Sequence, residues 1–144
     1  ILDFSKIEAG QLLIASHDFN FLKMLENIES TMIYSAKEKG LRLEFPENSD
    51  ELPIYVQGDE LRLRQILINL IGNAIKFTHS GFVRVEVESS THGDDDIVLQ
   101  FVVQDTGIGI PKEKHKEIFT HFSQTDSYIT REFGGSGLGL TICR

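Results

Sequence analysis

Residues 59–88, DELRLRQILINLIGNAIKFTHSGFVRVEVE, contain a change from helical to strand periodicity that decides the fold. Apolar side chains recur every three or four positions over 60–77, and Asp59 is a favourable N-cap, so we predict a helix there. Apolar and polar residues then alternate strictly over 82–88, which predicts a half-buried strand. The apolar side of the helix is predicted to contain Leu61, Ile66, Leu67, Leu70, Ile71, Ala74 and Ile75.

The rest of the chain repeats this mixture of helices and strands. A second helical pattern covers 21–39 and ends at Gly40, a residue type favoured just beyond a helix. The run 97–103 is more continuously apolar than 82–88 and is therefore predicted to be the central strand. Together these elements predict an α/β fold, a two-layer sandwich with a mixed sheet and helices packed on one face. Further elements are predicted at 11–19, 41–45 and 54–56 (strands), 91–96 (a hairpin turn) and 112–119 (a helix after Pro111).

The composition fits one globular domain and argues against several other classes of protein. The 144 residues are 40% hydrophobic and 25% charged, as in soluble domains. The formal net charge of −8 argues against general nucleic-acid binding, which needs surfaces rich in lysine and arginine. A single cysteine, Cys143, excludes an intramolecular disulfide and fits a reducing compartment. The apolar runs are too short to span a bilayer, so we expect an aqueous location.

Three polar residues of the 60–77 helix follow one another on one face. Asn69, Asn73 and Lys76 are spaced at i, i+4 and i+7. Magnesium prefers oxygen ligands, and an asparagine carbonyl supplies one without a negative charge that would repel a nucleotide. The pattern is compatible with a magnesium–phosphate site, and equally with an ordinary solvated helix face.

A glycine-containing turn, Asp105-Thr-Gly-Ile-Gly-Ile110, follows the apolar run directly. We expect Asp105 to end the strand facing inward and to accept a hydrogen bond from an adenine amino group. Gly107 and Gly109 would let the backbone turn and approach the ring, and Ile108 and Ile110 would form an apolar wall. The alternative is an ordinary turn in which the aspartate caps the local backbone.

A second glycine turn, Gly134-Gly-Ser-Gly-Leu-Gly-Leu140, enters a helical pattern that continues to the end of the chain. Unpaired amides and the positive end of a helix favour an anion such as a triphosphate. The spacing differs from the dinucleotide-binding fingerprint, and the Gly-Lys-Ser/Thr of a P-loop does not occur. A flexible linker is the alternative.

In this order, the motifs resemble those of sensor histidine kinases. Residues 69–78 resemble the N box of that family, 105–110 its G1 box and 135–140 its G2 box. Residues 118–122 resemble its F box, and 1–12 resemble the end of the dimerisation helix of hybrid kinases. The resemblance implies a catalytic ATP-binding domain with the Bergerat (GHKL) fold. It divides the chain into a tail of the dimerisation helix (1–10) and a catalytic domain without its final strands (11–144).

The resemblance also implies roles for individual residues in binding ATP and Mg²⁺. Asn73 would ligate Mg²⁺, Asn69 and Lys76 would lie near the phosphates, and Asp105 would read adenine with Phe77 beside the base. Arg131, in a lid at about 120–136, would reach the γ-phosphate, unless it is an ordinary exposed arginine. Phe119 and Phe122 would anchor the lid or belong to the core. The remaining nucleotide contacts would come from Gly107, Ile108, Gly109, Ile110, Gly135, Ser136, Gly137, Leu138 and Gly139.

One departure from related ATPases favours phosphoryl transfer over hydrolysis. The gyrase, Hsp90 and MutL types place a glutamate four residues before the magnesium asparagine, and here that position is Asn69. An amide cannot act as a general base toward water. We interpret the five histidines of the chain as surface or loop residues rather than phosphoacceptors: His17, His79, His92, His115 and His121. The phosphoacceptor histidine is therefore expected elsewhere, and this chain alone is not expected to autophosphorylate.

The sequence therefore predicts the catalytic domain of a protein-histidine kinase in a two-component system. Its partners would be a dimerisation and histidine phosphotransfer domain, in cis or in trans, and a response-regulator receiver domain. The parent protein would be a homodimeric, membrane-associated sensor with this domain in the cytoplasm, and no nucleic acid would be bound. The alternatives are a non-catalytic nucleotide-binding regulatory module of the same fold and an ATPase-driven clamp, which the missing glutamate disfavours.

Overall fold

The computed structural model describes residues 13–46, 51–93 and 96–115. The helices predicted at 21–39 and 60–77 are present, and the second has the predicted bounds. The elements, in chain order, are β1 (His17–Asn20), α1 (Phe21–Glu38), β2 (Arg42–Glu44), β3 (Tyr55–Gly58), α2 (Glu60–Phe77), β4 (Phe82–His92), β5 (Asp96–Asp105) and a short 3-10 helix (Lys112–Lys114).

The boundaries of several shorter elements differ from those predicted. From residue 13 onward, where the described part of the chain begins, the strand predicted at 11–19 is present only as β1, and β4 continues four residues beyond 88. The hairpin is therefore tighter than expected, with His92 paired with Asp96. The predicted 112–119 helix begins as the 3-10 turn, and its residues 116–119 lie outside the described part of the chain.

The main described sheet has the order β2-β4-β5, with β2 parallel and β5 antiparallel to β4. A separate antiparallel pair joins β1 to β3. The sheet is mixed, as predicted. Among the described residues β4 lies between β2 and β5, and the central position expected for 97–103 stays a prediction. Within the described residues, one face of this apolar run is incompletely covered, because Val98 and Val102 are 47% and 38% exposed.

Helices α1 and α2 pack against each other and against the sheet, and the core lies between these layers. The α/β class with helices on one face is confirmed. The buried side chains come from both helices and from the inner face of β4; the largest that are fully buried are Phe21, Met24, Ile28, Leu67, Ile71, Val83 and Val85.

The apolar side predicted for α2 is only partly correct. Leu67, Ile71, Ala74 and Ile75 are buried, whereas Leu61 remains 66% exposed. Two positions along a helix rotate a side chain by about 200°, so Leu61 faces away from Leu63, which packs on the core. The buried stripe therefore begins at Leu63.

Polar side chains fix the starts of both helices. Asn20 Oδ1 accepts a 2.8 Å hydrogen bond from Lys23 N at the start of α1. Asp59 Oδ1 accepts a 3.0 Å bond from Arg62 N, which confirms the predicted N-cap of α2. Asp59 Oδ2 also accepts a 2.9 Å bond from Ala15 N. This one carboxylate therefore joins the segment before β1 to the start of α2.

The backbone N–H groups of Arg62 and Ala15 hold the pKa of Asp59 below its ordinary value. They favour the ionised form. Because the folded pKa is the lower one, the contribution of Asp59 to stability is fully present above the unfolded pKa of about 4 and is lost as the pH falls through the folded pKa.

We therefore expect Asp59→Asn to flatten the dependence of unfolding free energy on pH below about pH 4. The measurement is urea unfolding at a series of pH values, with Asp18→Asn, on the exposed surface of β1, as the matched control. An unchanged pH slope in Asp59→Asn, or an equal change in the control, would contradict this assignment.

No helix among the described residues is long and apolar enough to cross a membrane.

Candidate functional site

Two of the sequence motifs meet where α2 ends. Ile108 N, in the turn after β5, donates a 3.2 Å hydrogen bond to Phe77 O in the last turn of α2. Thr106 N donates a 3.2 Å bond to Phe82 O at the start of β4. The 69–78 and 105–110 motifs are therefore neighbours in space, although about 30 residues separate them in sequence.

Gly107 occupies the tightest point of this junction. A Cβ built at this position would press against Phe77 O and lie 2.8 Å from Asp105 Oδ1 and 2.9 Å from Phe77 C. Real Cβ atoms do not approach so closely, and two of these neighbours are backbone atoms of a packed helix. The sequence predicted a glycine that lets the backbone approach a ligand; the structure adds that α2 itself requires the glycine.

Thr106 fastens the same turn to the connection between α2 and β4, and its importance was missed from the sequence. Its Oγ1 donates a 3.1 Å hydrogen bond to Ser80 O and accepts a 3.0 Å bond from Phe82 N. Gly81 adopts φ 110°, and a Cβ there would collide with Thr106 Oγ1. The available signal was a glycine immediately before a strand and a threonine between Asp105 and a required glycine.

Asp105 lies at the end of β5 on the helix-facing side of the sheet. It pairs with Val83, which is fully buried, and residues paired across antiparallel strands share a face. The aspartate itself is exposed because the strand ends there. Its Oδ1 accepts a 2.8 Å hydrogen bond from Gly107 N, so the local capping interaction considered as an alternative is present. Capping occupies one oxygen and leaves the carboxylate accessible to a ligand.

The polar residues of α2 lie next to its buried stripe. Asn69, Asn73 and Lys76 are all half-buried. The ammonium of Lys76 lies 4.9 Å from the centroid of the Phe77 ring, within cation–π range. A row of amides and one ammonium therefore leads along α2 toward the Asp105 turn.

The apolar residues of the turn are accessible. Ile108 and Ile110 are 54% and 49% exposed, and Gly109 between them has φ 68°. A flat apolar ligand resting on these side chains would remove them from water, which is favourable by about 25 cal/mol per Å² of apolar area.

Within residues 13–46, 51–93 and 96–115, no three His, Cys, Asp or Glu side chains are grouped closely enough to hold a metal ion. A magnesium ion bound by this part of the chain would depend on amide oxygens, on water and on the phosphates of a ligand, which is a common environment for Mg²⁺. The donor set of α2 fits such an ion.

The other segments and residues to which the sequence assigned a role lie outside the described residues. They are the tail at 1–10, the lid at 120–136 with Arg131, the glycine turn with Gly135, Ser136, Gly137, Leu138 and Gly139, and the aromatic pair Phe119 and Phe122.

Comparison with known proteins places this geometry in a family. The model for histidine kinase-, DNA gyrase B- and HSP90-like ATPases matches residues 58–144, which is more than half of the chain. The chain therefore belongs to this family, and the resemblance seen in the sequence motifs is confirmed.

Individual relatives narrow the similarity to histidine kinases. The hybrid signal transduction protein dokA of Dictyostelium discoideum is 42% identical over 145 residues, covering 100% of this chain and 9% of dokA. Full-length ShkA in complex with AMPPNP is 34% identical with a TM-score of 0.78, covering 99% of this chain and 28% of ShkA. The nucleotide-free catalytic domain of histidine kinase ThkA is 27% identical with a TM-score of 0.69, and the match covers 90% of this chain and 77% of the ThkA domain.

The chain thus corresponds to the catalytic domain of a histidine kinase in fold and family, and it spans less than a tenth of the length of dokA. The predicted fold class is confirmed. The roles of single residues remain predictions.

Proposed function

We propose that this chain binds Mg·ATP and presents the γ-phosphate to a histidine on a dimerisation domain. The observation that carries the proposal is the junction described above, where Ile108 N donates to Phe77 O at 3.2 Å. It brings the amide-bearing end of α2 and the exposed Asp105 carboxylate together in a chain of the ATPase family. One ligand with an adenine end and a phosphate end would engage both.

The Asp105 turn is proposed to hold the adenine base. The carboxylate is exposed on the helix-facing side of β5, in position to accept a hydrogen bond from the amino group of adenine. The exposed side chains of Ile108 and Ile110 supply an apolar surface, and Phe77 would lie beside the base. Gly107 and Gly109 keep the backbone close to the ring.

The polar row of α2 is proposed to hold the metal and the phosphates. Asn73 would supply an uncharged oxygen ligand to Mg²⁺, with Asn69 and Lys76 close to the phosphates. When bound, Mg²⁺ would neutralise developing charge on the transferred phosphoryl group. By sequence motif, the amides of the glycine turn at 134–140 and the Arg131 guanidinium would complete the phosphate site.

Transfer to a protein, rather than hydrolysis, follows from the chemistry of Asn69. Its carboxamide occupies the position at which hydrolysing relatives carry a glutamate, and it cannot take a proton from water. The names of dokA and ThkA support a signalling kinase. We therefore include in the proposal a homodimeric membrane-associated parent, a cytoplasmic location for this domain, and later transfer of the phosphoryl group to a receiver aspartate.

Removing the proposed metal ligand is expected to abolish the magnesium dependence of nucleotide binding. In the unsubstituted protein, Mg²⁺ should increase ADP affinity at least about tenfold, a difference of about 1.4 kcal/mol. In Asn73→Ala the ratio of the ADP affinities with and without Mg²⁺ should fall close to one, because the ion loses its protein ligand. Calorimetric titration with ADP, with and without Mg²⁺, measures the ratio.

Two controls keep this test specific. Asn27→Ala removes an exposed asparagine from α1 and should leave the magnesium ratio unchanged. Adenosine, which lacks phosphates, should bind Asn73→Ala and the unsubstituted protein equally. A magnesium ratio that survives in Asn73→Ala would exclude Asn73 as the ligand, and absence of any ADP binding by the unsubstituted protein would overturn the proposed function.

Phosphoryl transfer needs a separate assay. With γ-labelled ATP and the dimerisation domain of a related histidine kinase, we expect an acid-labile, alkali-stable label on that domain. Binding of Mg·ATP without any transfer would favour the non-catalytic regulatory module instead.

A further inference from the structure

The C-terminal end of α2 has a partner for each of five consecutive backbone carbonyls. Carbonyls in the last turn of a helix lack intrahelical donors and must find others. Thr78 Oγ1 donates 2.7 Å to Ala74 O, and Ile108 N donates 3.2 Å to Phe77 O. The remaining three, Ile75 O, Lys76 O and Thr78 O, accept from Lys39 Nζ at 2.9, 2.7 and 3.4 Å.

Lys39 is held in place by the end of α1. It is the C-cap residue of that helix, and its backbone N–H donates to Ala36 O at 3.1 Å. Gly40 follows with φ 67°, and Leu41, which is 5% exposed, donates from its N–H to Ala36 O at 2.9 Å. The buried leucine anchors the chain directly after Lys39, so the lysine is directed at α2 by a rigid helix end.

The chemistry of the ammonium group suits these acceptors. It offers three donors and no acceptor, and three carbonyl oxygens lie within bonding range. A cation also interacts favourably with the negative end of the helix dipole. Since two of the acceptors are carbonyls of α2 and one belongs to the residue after it, the contacts fix the direction in which the chain leaves the helix.

We propose that Lys39 is a positioning residue for the nucleotide site. This inference rests on the proposed function, because the site that it positions is the one assigned there. Lys39 holds the last turn of α2, and that turn carries Lys76 and Phe77 and receives the Ile108 amide. Without the ammonium, the carbonyls of Ile75, Lys76 and Thr78 would lose this donor, and the Asp105 turn would lose its fixed alignment with Asn73.

The test compares Lys39→Met, which keeps an unbranched chain but removes the donors, with Lys39→Arg, which restores them. Lys37→Met is the matched control, since it removes an identical charge from an exposed position in the last turn of α1. The dissociation constant of Mg·ADP is measured by calorimetry well below the unfolding temperature of each variant. Hydrogen exchange of the Ile108 amide is measured in the same samples, with the Val85 amide of β4 as the core reference.

We expect Lys39→Met to weaken Mg·ADP binding about tenfold or more, because small displacements of binding groups are costly. Exchange at Ile108 should accelerate relative to Val85, Lys39→Arg should recover most of both effects, and Lys37→Met should change neither. A Lys39→Met protein that loses thermal stability but keeps the affinity and the Ile108 protection would overturn the inference. If Lys39→Met does not fold, Lys39→Gln replaces it, because its shorter, uncharged side chain has only two donors for the three carbonyls. This variant must show the same two effects to a smaller extent, and normal values would also overturn the inference.

Failure of this inference can be distinguished from failure of the proposed function. If the unsubstituted protein binds no ADP, the proposed function fails. The exchange ratio of Ile108 to Val85 still decides whether Lys39 aligns the Asp105 turn, since that measurement needs no nucleotide.

Discussion

Replacing Gly107 with alanine is expected to destabilise the fold by roughly 1–3 kcal/mol, the usual range for overpacking, and to abolish binding of adenine nucleotides. The added methyl group would press against Phe77 O and approach Asp105 Oδ1 to 2.8 Å. Relief requires the Asp105 turn to move away from α2. The adenine and phosphate ends of the site would then lose their common alignment.

Urea unfolding and Mg·ADP calorimetry measure the two effects. Gly72→Ala is the matched control for stability, because a Cβ at that position in α2 meets nothing within 4 Å. Alanine in a helix interior is favoured over glycine by roughly 0.5–1 kcal/mol. The free energy of unfolding should therefore rise in Gly72→Ala and fall in Gly107→Ala. A Gly107→Ala protein that is as stable as its parent and binds Mg·ADP with unchanged affinity would contradict the proposed contact between the Asp105 turn and α2.

Replacing Asp105 with asparagine is expected to weaken ATP binding about a hundredfold, about 2.7 kcal/mol, while the fold stays intact. The amide oxygen can still accept the Gly107 N–H, so the turn should persist. The ionised carboxylate that would accept a hydrogen bond from the adenine amino group is lost. Hydrogen bonds to charged groups contribute about 1.5–3 kcal/mol.

Comparing the affinities for ATP and GTP gives a second test of the role assigned to Asp105. Guanine carries an oxygen where adenine carries the amino group, and an asparagine can donate to it. The ratio of ATP to GTP affinity should therefore fall in Asp105→Asn, while Asp96→Asn, at the other end of β5, should keep both affinities and the ratio. Unchanged ATP affinity in a folded Asp105→Asn protein would remove Asp105 from the site.

Local patterns predicted the helices well because each carries its own start and stop signals. Asp59 caps α2 as expected, and the helix ends at Phe77 as predicted. The order of the strands was less predictable, since an apolar run does not reveal whether both of its faces are covered. Val98 and Val102 belong to such a run and remain partly exposed.

The site was predictable as a set of motifs but not as a junction. The sequence indicated Asn73, Lys76 and Asp105 from residue chemistry and order. The contact of Thr106 with the start of β4 had only an indirect signal, the glycine before the strand and the threonine before Gly107. Periodicity did not indicate that Lys39 holds the end of α2. Both contacts join residues at least 24 positions apart, where periodicity carries no information.

The most direct test of the account is an NMR titration of the protein with Mg·ADP. One ligand that bridges the junction should shift the backbone amide of Ile108 and the side-chain amides of Asn69 and Asn73 together, with a single dissociation constant. Shifts confined to one of these two groups, or dissociation constants that differ between them, would contradict a shared nucleotide site.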